Sequence, residues 1–121
     1  MVYEKFCNEI FRVDDDIRYV GIFYRTKSYT RMREGVKSLL TPEETRKSVE
    51  DAMLRWVSRR SLTKLGEPIY ALAKYEKIKR FTIPLGGHGL VLVSMGPNAD
   101  HDRIVSQVLK IRDKYLPHLE E

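Results

Sequence analysis

Two short segments constrain this chain more than any other part of it. Residues 17–25 read IRYVGIFYR and residues 90–95 read LVLVSM. Both are rich in β-branched and aromatic residues, which suit a pleated, packed surface. In the first, Tyr19 and Phe23 form one alternating set, and Val20, Ile22 and Tyr24 form the other. Successive strand side chains point to opposite faces. A strand apolar on both sets therefore belongs inside a sheet covered on both sides. The rest of the chain must supply that cover.

Residues 2–13 predict a helix, with Val2, Phe6, Ile10 and Val13 at helical spacing and Tyr3, Cys7 and Phe11 beside them. Asp14, Asp15 and Asp16 end it, because a helix C-terminus disfavours negative charge. After the first strand, 28–34 predicts a more polar strand at a sheet edge. Thr41-Pro42-Glu43-Glu44 then has the form of a capping box with proline at the first helical position. The helix it opens runs to about residue 60, with an apolar stripe of Val49, Ala52, Met53, Trp56 and Val57. Gly66 and Pro68 bound the next loop. Three strands follow at 69–75, 78–85 and 90–95. Glu76-Lys77 is short enough for a hairpin turn, so the first two run antiparallel. Gly96-Pro97-Asn98 breaks the chain before a last helix over about 100–116, capped by Asn98 or Asp100 and closed by Pro117. The order is α-β-β-α-β-β-β-α, an α+β arrangement in one domain over 1–121, without repeats or linkers.

A chain of 121 residues can bury roughly two-thirds of its unfolded surface. Its 42% hydrophobic and 32% charged residues are a globular balance. A lone cysteine, Cys7, forbids an internal disulfide and suits a reducing compartment. The apolar runs are too short to span a bilayer, and the charged N-terminal segment does not resemble a signal peptide. A cytoplasmic protein is expected. The net charge of +5 favours acidic partners.

No residue set reads as catalytic. His88 lies in Gly86-Gly87-His88-Gly89, which lacks the lysine, hydroxyl residue and helix of a phosphate loop and reads as a glycine-dependent turn. Asp100-His101-Asp102 offers ligand types that diverge at a helix start, with no matching second cluster. Cys7 sits in an apolar stripe, without the base and electropositive opening a nucleophile needs. Asp14–Asp16 read as a solvated turn. Neither an enzyme, a metal nor a cofactor is expected.

Basic residues are clustered. Arg55, Arg59 and Arg60 share the end of the second helix, and Lys64 follows. Lys74, Lys77, Lys79 and Arg80 surround the 75–78 hairpin with Tyr75. Such a patch can hold single-stranded nucleic acid or another polyanion by phosphate contacts and stacking. It also fits a solvated face whose helix-end cations match the dipole. No nucleic-acid-binding motif is visible.

The element order over nearly the whole chain resembles the roadblock/dynein light-chain fold, which is related to profilin. The stretches YEKFCNEI, DDDIRYVGI, REG at 33–35, LLTPEE, YALAKYEKIKRFTIPL and ADHDRI also resemble uncharacterised archaeal proteins of about this length. The roadblock resemblance implies a five-stranded antiparallel sheet in the order 2-1-5-4-3. The 42–60 helix is expected on one face and the terminal helices on the other. It implies a non-catalytic, dimeric scaffold or regulatory module that contacts small GTPases or other signalling proteins. Strand 69–75 would then be an outer strand, and a long apolar edge is a pairing hazard unless covered. Ile69, Ala71, Ala73 and Tyr75, with Met53 and Trp56 of the second helix, are the expected homodimer contacts. That helix packs on its own sheet, at the dimer interface, or both. A third reading is a small-ligand sensor, for which the sequence shows no convergent polar set.

Overall fold

The computed structural model describes residues 1–120. Eight main elements follow in order: α1 (Val2–Arg12), β1 (Ile17–Tyr24), β2 (Lys27–Met32), α2 (Pro42–Arg60), β3 (Ala71–Lys74), β4 (Lys79–Leu85), β5 (Gly89–Met95) and α3 (His101–Tyr115). The strands form one sheet in the order β2-β1-β5-β4-β3, and every pairing is antiparallel. The two doubly apolar strands are neighbours inside it, as expected.

On one face, Val20, Ile22, Phe81, Ile83, Val91 and Val93 meet Phe6, Ile10, Ile104 and Val108 of the terminal helices to make the main core. The Phe6 and Tyr115 rings stack at 5.1 Å and join α1 to α3. α2 covers the other face, where Ala52 and Trp56 are buried and Ser48 Oγ accepts a hydrogen bond from Arg80. No α2 residue belongs to the main core cluster. The capping box forms as read: Thr41 Oγ1 accepts from the Glu44 N–H at 3.1 Å, and Glu44 Oε1 accepts from the Thr41 N–H at 2.9 Å. Asp100 caps α3 by accepting from the Arg103 N–H.

Some boundaries differ from the sequence reading. β2 stops at Met32, because the Val36 N–H bonds to Arg33 O and Gly35 turns at φ +81°. Arg33 is drawn back under the α1–β1 turn, donating from Nε to Ile17 O at 2.7 Å and from Nη2 to Phe11 O and Asp14 O. A guanidinium can satisfy several carbonyls at once because its donors form a fixed fork. β3 spans only Ala71–Lys74 and is shorter than the predicted 69–75. Tyr75 already closes the hairpin through its N–H to Ile78 O at 2.8 Å.

Lys79 is the one buried charged side chain among the described residues, at 7% exposure. Its Nζ donates to Ala99 O at 2.8 Å and lies 3.0 Å from His101 Nδ1, which ties β4 to the start of α3. Truncation to alanine removes both the apolar stem and the donor, at an expected cost of about 2–4 kcal/mol. Lys79→Met keeps the stem and loses only the bond, so chemical denaturation should find it milder by about 1 kcal/mol or more. Equal costs would show that the hydrogen bond, and not the packed stem, carries the site.

The chain end is clasped to β1. Leu119 is buried, the Tyr24 hydroxyl donates to Glu120 Oε1, and Arg25 Nη2 lies 3.1 Å from the same oxygen. The Tyr24 hydrogen bond, then Arg25, hold the Glu120 carboxyl below its ordinary value of 4.5. A lowered folded-state pKa gives stability that is present above the unfolded value and lost as pH falls through the folded one. The wild type should therefore melt above Glu120→Gln at neutral pH, with the gap shrinking as the pH falls below the ordinary carboxylate value. A gap that persists in acid would mean that the glutamate acts through shape alone.

Candidate functional site

α2 carries apolar residues on both of its sides, and they divide differently from the predicted stripe. Ala52 and Trp56 point at the sheet, and Trp56 is 3% exposed. Trp56 therefore packs inside the protomer and is not an available dimer contact. Met53 is half-buried. Val57, read as part of the inner stripe, points outward and is 68% exposed, with Leu54 at 69% one turn before it. A helical stripe gives the period of the apolar residues, but both sides of α2 carry some, so periodicity alone does not choose which side meets the sheet.

The chain leaving α2 continues this apolar surface. Leu62, Leu65, Ile69 and Tyr70 are exposed, and Leu65 reaches 81%. A 3-10 turn at Thr63–Leu65 and the left-handed Gly66 (φ +85°) carry the chain to β3. Ile69 lies before β3 and Tyr75 just after it, so of the four predicted strand contacts only Ala71 and Ala73 are on the strand. Ala71 is half-buried, and Ala73 and Tyr75 are exposed. β3 bonds to β4 on one side and is the edge of the sheet on the other.

The predicted basic patch separates into different surroundings. Arg55, Arg59, Arg60, Lys64 and Lys77 are exposed, and Arg60 Nε lies 3.7 Å from Glu67. Lys79 is buried as described and does not reach a phosphate. Its parity with Phe81, Ile83 and Leu85 on β4 marks it as inward-facing. Arg80 is half-buried, stacks 5.7 Å from the Tyr75 ring centre, and turns toward Ser48 beneath α2.

The residues weighed for chemistry have local tasks. The His88 ring meets Tyr24 edge-on at 6.2 Å, and its carbonyl accepts the Arg25 N–H at 2.9 Å. Asp14 accepts from the Asp16 N–H at 2.8 Å and pairs with Arg103. Burial pushes the Cys7 thiol up to about 11, the opposite of nucleophile activation. Among the described residues no group of three or more His, Cys, Asp or Glu side chains has the geometry to hold a metal. No helix among them is long and apolar enough to cross a membrane.

No family model matches the chain. No curated protein matches it either. Solved structures do. The gliding protein MglB of Thermus thermophilus superposes with a TM-score of 0.71 at 16% identity, covering 95% of this chain and 85% of that one. A roadblock/LC7 domain from Streptomyces avermitilis gives 0.70 at 11% identity and 94% of both chains. A structure of MglB with tetrameric arrangement gives 0.63 at 16% identity, covering 94% and 92%. With the strand order and helix placement above, these likenesses establish that the chain has the roadblock fold.

Proposed function

We propose that this protein is a non-catalytic interaction module that works as a homodimer, built on the outer face of α2 and the free edge of β3. One observation carries the proposal: Leu54, Val57, Leu62, Leu65 and Ile69 are exposed along α2 and the segment that leads to an unpaired strand edge. Clustered exposed apolar side chains mark interaction surfaces, and open edges invite pairing. A second copy satisfies both features together, since a twofold axis brings like to like. Joining two β3 edges would make one continuous sheet. The tetrameric arrangement of an MglB with the same fold agrees with self-association. The assembled dimer would then present its remaining surface to a signalling protein such as a small GTPase, in the cytoplasm. Sedimentation equilibrium from about 1 to 200 µM tests the proposal, with a dimer expected through most of that range. A monomer at about 200 µM would reject it, because an apolar interface of standard size usually associates more tightly than that.

A further inference from the structure

The sheet face under α2 holds a cavity of about 130 Å³ between the first half of that helix and β1, β4 and β5. Val49, Leu92, Met32 and Ile78 give it apolar walls. Its charged groups are unusual in being all of one kind. Arg18 and Arg80 both line it, no lining residue is acidic, and neither arginine makes an ion pair among the described residues. Tyr19 also lines it, and its hydroxyl is buried with no hydrogen-bond partner among the described residues. Burial raises the Tyr19 pKa, so at neutral pH the phenol keeps its proton and is available to donate.

The backbone is arranged to bring these groups together. Between Ile17 and Tyr19 the register of β1 against β5 slips, so Ile17 pairs with Met95 and Tyr19 with the adjacent Ser94. Arg18 is the extra residue of that bulge. Strand alternation would aim it into the main core, whereas the bulge lets it line the α2 face; bulges commonly re-aim a side chain in this way. Gly21 lies between Tyr19 and Phe23, and a Cβ there would stand 2.8 Å from the Tyr19 hydroxyl and from the Phe23 ring. Glycine is what leaves room for that hydroxyl.

We infer that this cavity binds a small carboxylate with an apolar body about the size of a benzene ring. The carboxylate pairs with Arg80 and accepts from the Tyr19 hydroxyl, while Arg18 adds a second positive charge. Guanidinium and carboxylate match in shape and make short, charge-assisted bonds. The apolar body lies against Val49 and Leu92. The size follows from the volume, since a protein cavity of about 150 Å³ is known to accept benzene. Cations are excluded by the two arginines, and a neutral ring leaves them unneutralised. The site lies under the first half of α2 and does not depend on the dimer proposed above.

Titration of the full chain with benzoate, 4-methylpentanoate, benzyl alcohol and benzylammonium tests the inference, read by calorimetry and by amide chemical shifts. The two carboxylates should bind with dissociation constants of roughly 0.1–1 mM, a range within the per-atom limit for ligands of about nine non-hydrogen atoms. Shifts should centre on Val49 and Leu92. Benzyl alcohol should bind at least tenfold more weakly, and benzylammonium should not bind. Arg80→Gln should weaken benzoate at least tenfold and leave benzyl alcohol unchanged. Should that variant fail to fold, Tyr19→Phe reads the same site and should weaken benzoate several-fold. No carboxylate binding up to about 10 mM, equal binding of benzoate and benzyl alcohol, shifts confined to another surface, or unaltered benzoate affinity in the folded variants would each overturn the inference.

Discussion

Leu54→Asp combined with Val57→Asp is expected to convert the proposed dimer to a monomer, weakening association by roughly 1,000-fold or more without lowering the stability of the protomer. Both side chains are more than two-thirds exposed in the single chain, so folding gains little from them. In a twofold dimer each substitution acts twice. Burying one Leu or Val contributes about 1.5–3 kcal/mol, and four carboxylates facing one another add repulsion. A loss of about 4 kcal/mol in association corresponds to a factor of roughly 1,000. The measurement is the dissociation constant by sedimentation, beside a denaturation curve at a concentration where both proteins are monomeric. An unchanged constant would place the interface elsewhere. A lowered protomer stability would show that the outer face of α2 belongs to the fold. Substituting Trp56, which the sequence reading also expects at the interface, would damage the protomer interior and leave the result ambiguous.

Gly89→Ala should be the most damaging glycine-to-alanine change in the chain. A Cβ at position 89 would stand 2.0 Å from Phe23 O and 2.9 Å from Tyr24 Cα. Those atoms belong to the backbone of β1, which pairs with Gly89 through Tyr24. A flexible side chain could swing aside, but a paired strand cannot move without breaking its ladder. Overpacking costs about 1–3 kcal/mol in ordinary cores and more where the neighbours are fixed. A loss of about 3 kcal/mol or more is expected, which lowers the melting temperature of a domain this size by roughly 10 °C or more. Gly87→Ala is the control, because its nearest neighbour is the Arg60 guanidinium tip at 3.9 Å. If Gly89→Ala melts within a degree or two of the wild type, the close approach of β1 is not a constraint on the fold.

The same turn illustrates what sequence could convey. GGHG reads as a glycine-dependent turn, and Gly86 does adopt φ +57°. That Gly89 is needed for close passage of another strand has no local signature, because the strand it meets lies far earlier in the chain, at Phe23 and Tyr24. The interior strands were legible because the requirement for cover on both faces is written in the side chains of β1 and β5 themselves. The Thr41 capping box was legible because its partners are three residues apart. Lys79 shares its strand parity with Phe81, Ile83 and Leu85, so its burial was available from alternation, but the clustering of nearby charges suggested a surface. The roles of Arg33 and Arg18 were not legible. One depends on carbonyls of a distant turn, and the other on a bulge that no composition announces.

The absence of α2 from the main core bears on how the molecule opens. Elements that share a core tend to unfold as one cooperative unit, whereas one anchored by few buried side chains can detach at a lower free energy. The sheet with α1 and α3 forms such a unit, and α2 is held over the opposite face chiefly by Ala52, Trp56 and the Ser48–Arg80 bond. Its amides should therefore exchange with solvent hydrogen through a local excursion that leaves the rest of the protein folded. Self-association through the outer side of this helix would slow that excursion in proportion to protein concentration. The least firmly held helix would then be the one whose protection reports most directly on assembly.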